Sequence, residues 1–433
     1  MLLEFSVANY RSFKEKKTLS LLASSGRGGK DSQAHPENTF AVPGRPDIAL
    51  LKSAAIYGAN ASGKSNLIKA LEFMKRFVLT STETNNQLGT ALSPFKLDPA
   101  TVDNPSEFEI VFMLEEKRYV YGFTVDRERV HEEWLTVSEK GTRERTSQLF
   151  TRQRDQTIRF NEKLWRGEKK KLEERTRPDA LFLSVGAQWN HPLLSIISSW
   201  FRDTLMPVFT KDPNVSLKVA TFQWLETNPE YANLLTNFIQ FADRNIQGLN
   251  PKRRSVSLGE IPEESLLELR IKMPKGAEDV QYWAATLEST HLRSDGLPVP
   301  FNFFLEESAG TQTLFGFAPY WLQMRELGGI LVFDELDTHL HPMLMRFLVE
   351  RIHRAPNTQL IFTTHDCSLL DAELFRRDQI WFTEKDAAGA TDLYSLWDFK
   401  EPGGRARVEE NFRTGYLKGR YGAIPFVGEL NFG

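Results

Sequence analysis

Gly58-Ala59-Asn60-Ala61-Ser62-Gly63-Lys64-Ser65 stands between an apolar run, Ile48–Tyr57, and a helix-like run, Asn66–Phe77. It fits G-x-x-x-x-G-K-[ST], the phosphate-binding loop that turns a strand into a helix. Glycines at Gly58 and Gly63 let the backbone fold tightly, so that successive N–H groups point at an anion at a helix N-terminus. Lys64 can then reach the β- and γ-phosphates, and the Ser65 hydroxyl can ligate Mg²⁺. Asn60, Ser62 and Asn66 complete the residues expected around the nucleotide. A loop that merely turns a strand into a helix explains the motif less well, given the strand–loop–helix setting.

The rest of the composition is ordinary. The chain has 433 residues, 41% hydrophobic and 26% charged, enough for two or three domains or one domain with a large insertion. A net charge of −3 gives no global attraction to nucleic acid. The single cysteine, Cys367, excludes an internal disulfide and reads as a small buried side chain. Met1–Arg11 carries an acid within its apolar run and lacks a basic leader, and no run of about 18 apolar residues exists. A cytoplasmic protein with no membrane contact is expected.

Leu2–Val7 alternates like a half-buried strand, and Ser12–Leu22 reads as a second one. Ser24–Pro46 reads as a mobile loop. Phe108–Leu114, Arg118–Val125 and Glu133–Ser138 suggest an antiparallel sheet. Lys140–Arg177 carries 13 Lys/Arg against 6 Asp/Glu, which fits a solvated face or, alternatively, a DNA or RNA contact. Ala180–Val185 reads as a short buried strand, His191–Met206 and Phe222–Ile246 as helices, and Ser265–Met273 as a strand. From Phe301 onward strands and helices alternate, and there is no internal repeat.

Gly329-Ile330-Leu331-Val332-Phe333-Asp334-Glu335 is an apolar strand ending in two acids, the form of a Walker B motif. Such a strand delivers acids to the carboxyl edge of an open sheet, where ligands bind. Asp334 is expected to hold Mg²⁺ through water, and Glu335 to orient and deprotonate the attacking water. Ser308-Ala309-Gly310-Thr311-Gln312 lies 26 residues before Asp334, at the start of the helix-like run Gln312–Arg325. Ser308 and Gly310 suit a helix cap and also an N–H site for phosphate. Leu360–Asp366 is another buried strand, ending in His365. His339 and His341 beside Asp337 invite a metal reading, but no further His or Cys cluster supports it.

The order of these parts resembles the ABC-type ATPase head. The resemblance implies an α/β fold, a mixed β-sheet with flanking helices plus an antiparallel β-subdomain, here with a mainly helical insertion. It implies a signature motif at Ser308–Gln312, a D-loop at Leu336–Thr338 and a switch histidine at His365. It also implies two heads paired head to tail, the signature motif of one closing over ATP held by the other. Lys64 and Asp334 lie 270 positions apart, wider than a membrane transporter head would resemble, and Asn9-Tyr10-Arg11-Ser12-Phe13 is similar to the opening of SMC, RecF and OLD-like proteins.

Pro94–Leu97, Phe108–Ile110, Tyr119–Phe123, Glu133–Leu135, Glu306–Gln312, Asp334–Pro342 and Gly415–Pro425 together resemble the AAA-family ATPases of bacterial abortive-infection and related anti-phage systems. That likeness implies ATP and Mg²⁺ as cofactors, with Gly58, Gly63, Lys64 and Ser65 on phosphate and metal. It puts Asp334 and Glu335 on metal and water, and has Ser308, Gly310 and Gln312 act across a dimer. Gln188, ahead of the helical insertion, is assigned to the Q-loop position that touches nucleotide and metal. The expected layout is an N-terminal lobe over 1–187, the insertion over 188–262 and a C-terminal lobe over 263–433. The signature departs from the transporter form in having Gly-Thr where Gly-Gly is usual. No nuclease constellation follows His365, so the family likeness implies a sensor or regulator acting on a separate effector such as a nuclease. The rival expectation is a RecF/SMC-like DNA-binding ATPase of repair or chromosome maintenance.

Overall fold

The computed structural model describes residues 1–24, 35–83, 92–139, 145–209, 217–257, 281–399 and 411–425. The strands run in chain order as β1 Leu2–Ala8, β2 Lys17–Ser20, β3 Thr39–Val42, β4 Arg45–Leu51, β5 Ser53–Tyr57 and β6 Ser106–Leu114. They continue as β7 Lys117–Val125, β8 Val130–Glu139, β9 Arg145–Arg152, β10 Ile158–Phe160, β11 Leu205–Phe209 and β12 Ile246–Ser257. The last are β13 Gln281–Leu292, β14 Pro298–Asn302, β15 Gly329–Asp334, β16 Thr358–Thr363, β17 Ile380–Lys385 and β18 Thr391–Ser395.

The chain divides into two compact units. One comprises Met1–Thr210, Gln323–Thr338 and Met345–Gly433. Its central sheet has the order β11-β15-β16-β5-β17-β18, parallel from β11 to β17, with β18 antiparallel at the edge. A seven-stranded antiparallel sheet, β10-β9-β8-β7-β6-β1-β2, is the expected β-subdomain. The other unit comprises Lys211–Leu322 and His339–Leu344 and contains the antiparallel sheet β12-β13-β14. The expected α/β class and the antiparallel subdomain are both present.

β5 is buried at every position, as a central strand of a parallel sheet must be. The helix Lys64–Thr80 follows the loop and buries Leu67, Ile68, Leu71, Phe73, Met74, Phe77 and Val78. These recur at helical spacing, so one face is apolar throughout. Phe73 packs on Phe108 at 4.9 Å and Phe77 on Phe123 at 5.4 Å, which fixes the helix against the antiparallel sheet. Each such ring is worth roughly 1.5–3 kcal/mol by burial. The buried amide of Gln359 ties the two sheets together: it accepts the Leu2 N–H at 2.7 Å and donates to Leu2 O at 2.8 Å.

Several sequence expectations are corrected. Ala180–Val185 is not a strand; Phe182–Gln188 is a helix. Its cause lies far off in the chain, where the buried Glu133 carboxylate accepts the Phe182 and Leu183 N–H groups at 2.7 and 3.0 Å and so caps the helix N-terminus. Ile48–Tyr57 is two strands, broken at Lys52. The 35–46 part of the expected loop holds β3 and the start of β4. The helix expected over His191–Met206 ends in a π-turn, Trp200–Thr204, and gives way to β11. Within 188–262 helices make up most of the described residues, with β11 and β12 among them. Ser265–Met273 lies outside the described residues.

The amino end of β5 is held by a buried polar network. Gln379 Nε2 donates to Ser53 Oγ at 2.7 Å, Asn38 Nδ2 donates to Gln379 Oε1 at 2.8 Å, and Ser53 Oγ lies 2.8 Å from His353 Nε2. Burial lowers the His353 pKa to about 3, with Lys52 adding to the effect, so the ring is neutral in the native state. The unfolded chain takes up a proton on this ring below about 6.5 while the native chain does not until about 3. Stability is therefore lost as pH falls across that window. Urea denaturation of His353→Gln should show a shallower loss of stability between pH 6.5 and 4 than the unsubstituted chain.

Candidate functional site

The carboxyl ends of β5, β15 and β16 converge on one edge of the parallel sheet, because the register pairs Ile56 with Thr363 and Phe333 with Phe362. The phosphate loop leaves β5 there. Gly58 has φ 156° and Gly63 φ 117°, in the region that disfavours side chains, and space forbids them as well. A Cβ at Gly58 would sit 2.5 Å from Thr383 O, and one at Gly63 2.3 Å from Thr391 Oγ1. Ser62 Oγ lies 2.6 Å from Thr383 Oγ1, and Thr391 Oγ1 donates to Ser62 O at 2.8 Å. Asn66 Nδ2 donates to Ser12 Oγ at 2.8 Å. The side chains of Ser62 and Asn66 thus brace the loop from below, and Asn60 is exposed at its crest.

Lys64 is buried. Its Nζ donates to Gly58 O at 2.8 Å and Ala59 O at 3.1 Å, curling over the loop it follows. Burial lowers its pKa to about 8, against the opposing pull of Asp334, Glu335 and Asp337. A desolvated ammonium resting on neutral carbonyls is a site prepared for an anion.

Facing it, Asp334 Oδ1 accepts from Ser65 Oγ at 3.0 Å and from Thr363 Oγ1 at 2.8 Å. Thr363 Oγ1 also accepts the Glu335 N–H at 2.6 Å. Glu335 has φ 54°, a left-handed conformation that turns the chain sharply out of β15 directly after Asp334. Asp337 Oδ2 accepts the His365 N–H at 3.1 Å. Ser65, Asp334 and Glu335 supply hard oxygen donors beside the Lys64 cation, and the loop cradle has no room for side chains. These residues fit a nucleotide phosphate with Mg²⁺.

The structure brings together Gly58, Gly63, Lys64, Ser65, Asp334, Glu335 and the His365 backbone. It does not place Gln188 as expected: Gln188 ends the helix Phe182–Gln188 and is exposed, not a residue following a sheet strand. In the other unit, Ser308 Oγ accepts the Thr311 N–H at 3.1 Å and caps the helix Ala309–Leu327. A Cβ at Gly310 would meet His339 O at 2.9 Å. Gln312 donates to Phe304 O and Glu307 O at 3.1 and 3.0 Å and accepts from Lys218 Nζ at 2.6 Å. His341 Nδ1 accepts the Met343 N–H at 3.2 Å, a helix-capping role. Among the described residues no group of three or more His, Cys, Asp or Glu is arranged to hold a metal ion.

Thr363, Thr383, Thr391 and Ser12 were missed in the sequence. Thr363 had a signal, since a hydroxyl at the end of a strand next to a Walker B strand is placed to bond the acid. Thr383 and Thr391 had none, because their roles come from strand order. The basic stretch Lys140–Arg177 contributes β9 and β10 to the β-subdomain. Arg152 is buried near Glu133 at 3.9 Å, while Lys169, Lys171, Arg154 and Arg177 pair with Glu162, Glu168, Glu132 and Asp179.

The phosphate loop, the paired acids of β15 and a parallel sheet with an antiparallel subdomain define a P-loop α/β domain of the ABC-type head class. The chain belongs to the family described as AAA domain, putative AbiEii toxin, type IV toxin–antitoxin system, whose profile matches residues 53–371. Similar solved structures include an SMC head bound to the C-terminal winged-helix domain of ScpA, with 13% identity, TM-score 0.46, and 91% of this chain and 97% of that one covered. The SMC head domain from Thermotoga maritima matches at 13% identity and TM-score 0.39, covering 91% and 98%. The recombination mediator RecF with ATP matches at 13% identity and TM-score 0.35, covering 91% and 99%. No curated protein matches the chain. Among the described residues no helix is long and apolar enough to cross a membrane.

Removing the Lys64 charge separates binding from stability. Lys64→Met should weaken ATP binding on the order of 100-fold at pH 7, read by calorimetry. The same variant should raise the melting temperature of the nucleotide-free protein. The native chain carries the buried charge below about 8, whereas the unfolded chain keeps it to about 10.5. The gain should therefore be full below pH 8 and fade as pH rises from 8 to 10.5.

Proposed function

We propose that this chain binds and hydrolyses ATP with Mg²⁺ and serves as the nucleotide-driven sensor of an anti-phage, abortive-infection type system. The observation that carries the reading is the convergence of Lys64, Ser65, Asp334 and Glu335 at one sheet edge, locked by the Thr363 hydroxyl. Mg²⁺ held by Ser65 and Asp334 would neutralise the charge that develops on the phosphates. Lys64 and the loop N–H groups hold the phosphates, Ser65 and Asp334 orient the metal, and Glu335 takes the proton from the attacking water. His365 stands beside Asp337 to sense the γ-phosphate.

Two heads would pair head to tail, with Ser308, Gly310 and Gln312 of one facing ATP on the other. Gln312 would have to release Phe304 O and Glu307 O to do so. The family description, a putative toxin of a type IV toxin–antitoxin system, supports the defence role, while control of a separately encoded effector such as a nuclease rests on the resemblance of the sequence to abortive-infection ATPases. The pairing of Arg152, Arg154, Lys169, Lys171 and Arg177 with nearby acids weighs against the DNA-maintenance reading. We place this activity in the cytoplasm.

The test is Glu335→Gln, which removes the base and keeps the metal-side acid. ATP binding should survive, turnover should drop by about 10²–10⁴-fold, and the solution mass should double with Mg²⁺-ATP. Hydrolysis at the unsubstituted rate would remove Glu335 from the role of base. A mass unchanged by ATP would remove the head-to-tail pairing.

A further inference from the structure

Tyr57 is the last residue of β5 and directly precedes Gly58. It is 1% exposed, and its hydroxyl has no hydrogen-bond partner among the described residues. A buried hydroxyl without a partner is costly to keep, and phenylalanine would fill the same space without that cost. The register that pairs Ile56 with Thr363 sets Tyr57 level with Thr364, next to His365. The Thr364 N–H bonds Ile56 O at 3.2 Å, so β5 and the start of the switch segment are held together at this point.

A second buried polar atom is also unpaired there. Asp337 Oδ2 accepts the His365 N–H, but Asp337 Oδ1 has no partner among the described residues. One orphan is a donor and the other an acceptor. Burial raises the phenol pKa well above the tyrosine range, with Asp366, Cys367, Asp337 and Tyr416 adding to it, so the hydroxyl keeps its proton. The ring is backed by the C-terminal segment. The Tyr416 ring lies 6.0 Å from that of Tyr57 and stacks on Phe382 at 5.5 Å, while the Tyr416 hydroxyl donates to Ala423 O at 3.0 Å. The Gly415–Pro425 stretch, distinctive in the sequence and otherwise without a role, thus supports the side chain at the root of the phosphate loop.

We propose that Tyr57 is a positioning residue for the switch segment: in the ATP-bound state its hydroxyl donates to Asp337 Oδ1 and draws His365 into place through the Asp337–His365 bond. The bond is withheld in the free protein and made on closure. Tyr57 touches neither phosphate nor metal and acts only through Asp337. This inference rests on the ATP-hydrolysing reading above.

The test compares the unsubstituted chain with Tyr57→Phe, Asp337→Asn and the double variant. Tyr57→Phe should melt at the same temperature or higher without nucleotide, keep its KM for ATP within about twofold, and lose about tenfold in kcat. In the Asp337→Asn background, Tyr57→Phe should cost nothing further. Hydrogen exchange supplies a readout independent of turnover. In the Glu335→Gln background with Mg²⁺-ATP, amides 363–369 should be protected less when Tyr57 is also replaced by Phe. Unsubstituted kcat in Tyr57→Phe, multiplying losses in the double variant, or a melting temperature that falls along with activity would each overturn the proposal. Should the unsubstituted chain bind ATP without hydrolysing it, the hydrolytic reading fails by itself. The exchange comparison then decides this one: unequal protection upholds it and equal protection overturns it.

Discussion

One hydroxyl fixes the geometry of the site. Thr363 Oγ1 donates to Asp334 and accepts the N–H of Glu335, so a single atom sets the direction of one acid and the backbone turn that presents the next. The arrangement depends on β15 and β16 being parallel neighbours in one register, which brings Thr363 level with the end of the Walker B strand. A shift of one residue would turn the hydroxyl to the opposite face of the sheet. The long insertion between the phosphate loop and Asp334 is therefore tolerated only because the sheet, not the chain path, joins them. The buried Gln359 amide, one strand position in from the other end of β16, keeps that strand from sliding.

What was legible in the sequence was local. The phosphate loop, its helix and the acid pair are specified by residues close together in the chain, so pattern and chemistry agree. The antiparallel strands from Phe108 to Ser138 were legible for the same reason, through alternation. The misreadings are all places where a distant residue decides. Ala180–Val185 has the composition of a strand and becomes part of a helix because Glu133, far back in the chain, caps it. β11 is hidden behind a π-turn and is extended because β15 offers a free edge. The charge excess of Lys140–Arg177 reads as a surface for a polyanion. Arg154, Lys169, Lys171 and Arg177 pair with nearby acids, and Arg152 is sunk among the Gln156, Arg177, Pro178 and Ala180 acceptors.

Gln188 shows the limit of carrying a role over by position. Its place in the order was right only if Ala180–Val185 entered the sheet as a strand. Once that segment is a helix, the glutamine ends on an exposed helix terminus. By contrast Ser308 and Gly310 keep the local geometry expected of a helix start, with Ser308 capping and Gly310 lying close against His339 O. The difference is that a cap is decided by a few adjacent residues and a Q-loop by the whole sheet.

The site also holds more uncompensated polarity than a merely stable fold would keep. Lys64 is a charge resting on neutral carbonyls, Tyr57 a buried donor without an acceptor, and Asp337 Oδ1 a buried acceptor without a donor. Each is destabilising alone, and apolar substitutes would fit the same volumes. Tyr57 directly precedes the phosphate loop that Lys64 ends, and Asp337 is bonded to the switch segment. Such strain persists where a second state relieves it. An anion on the loop would satisfy Lys64, and a closed switch would satisfy the other two. The free form is thus held above the energy it could reach, and the difference becomes available when nucleotide binds. This ties the stability of the free chain to the force with which it closes, so substitutions that relax one should weaken the other.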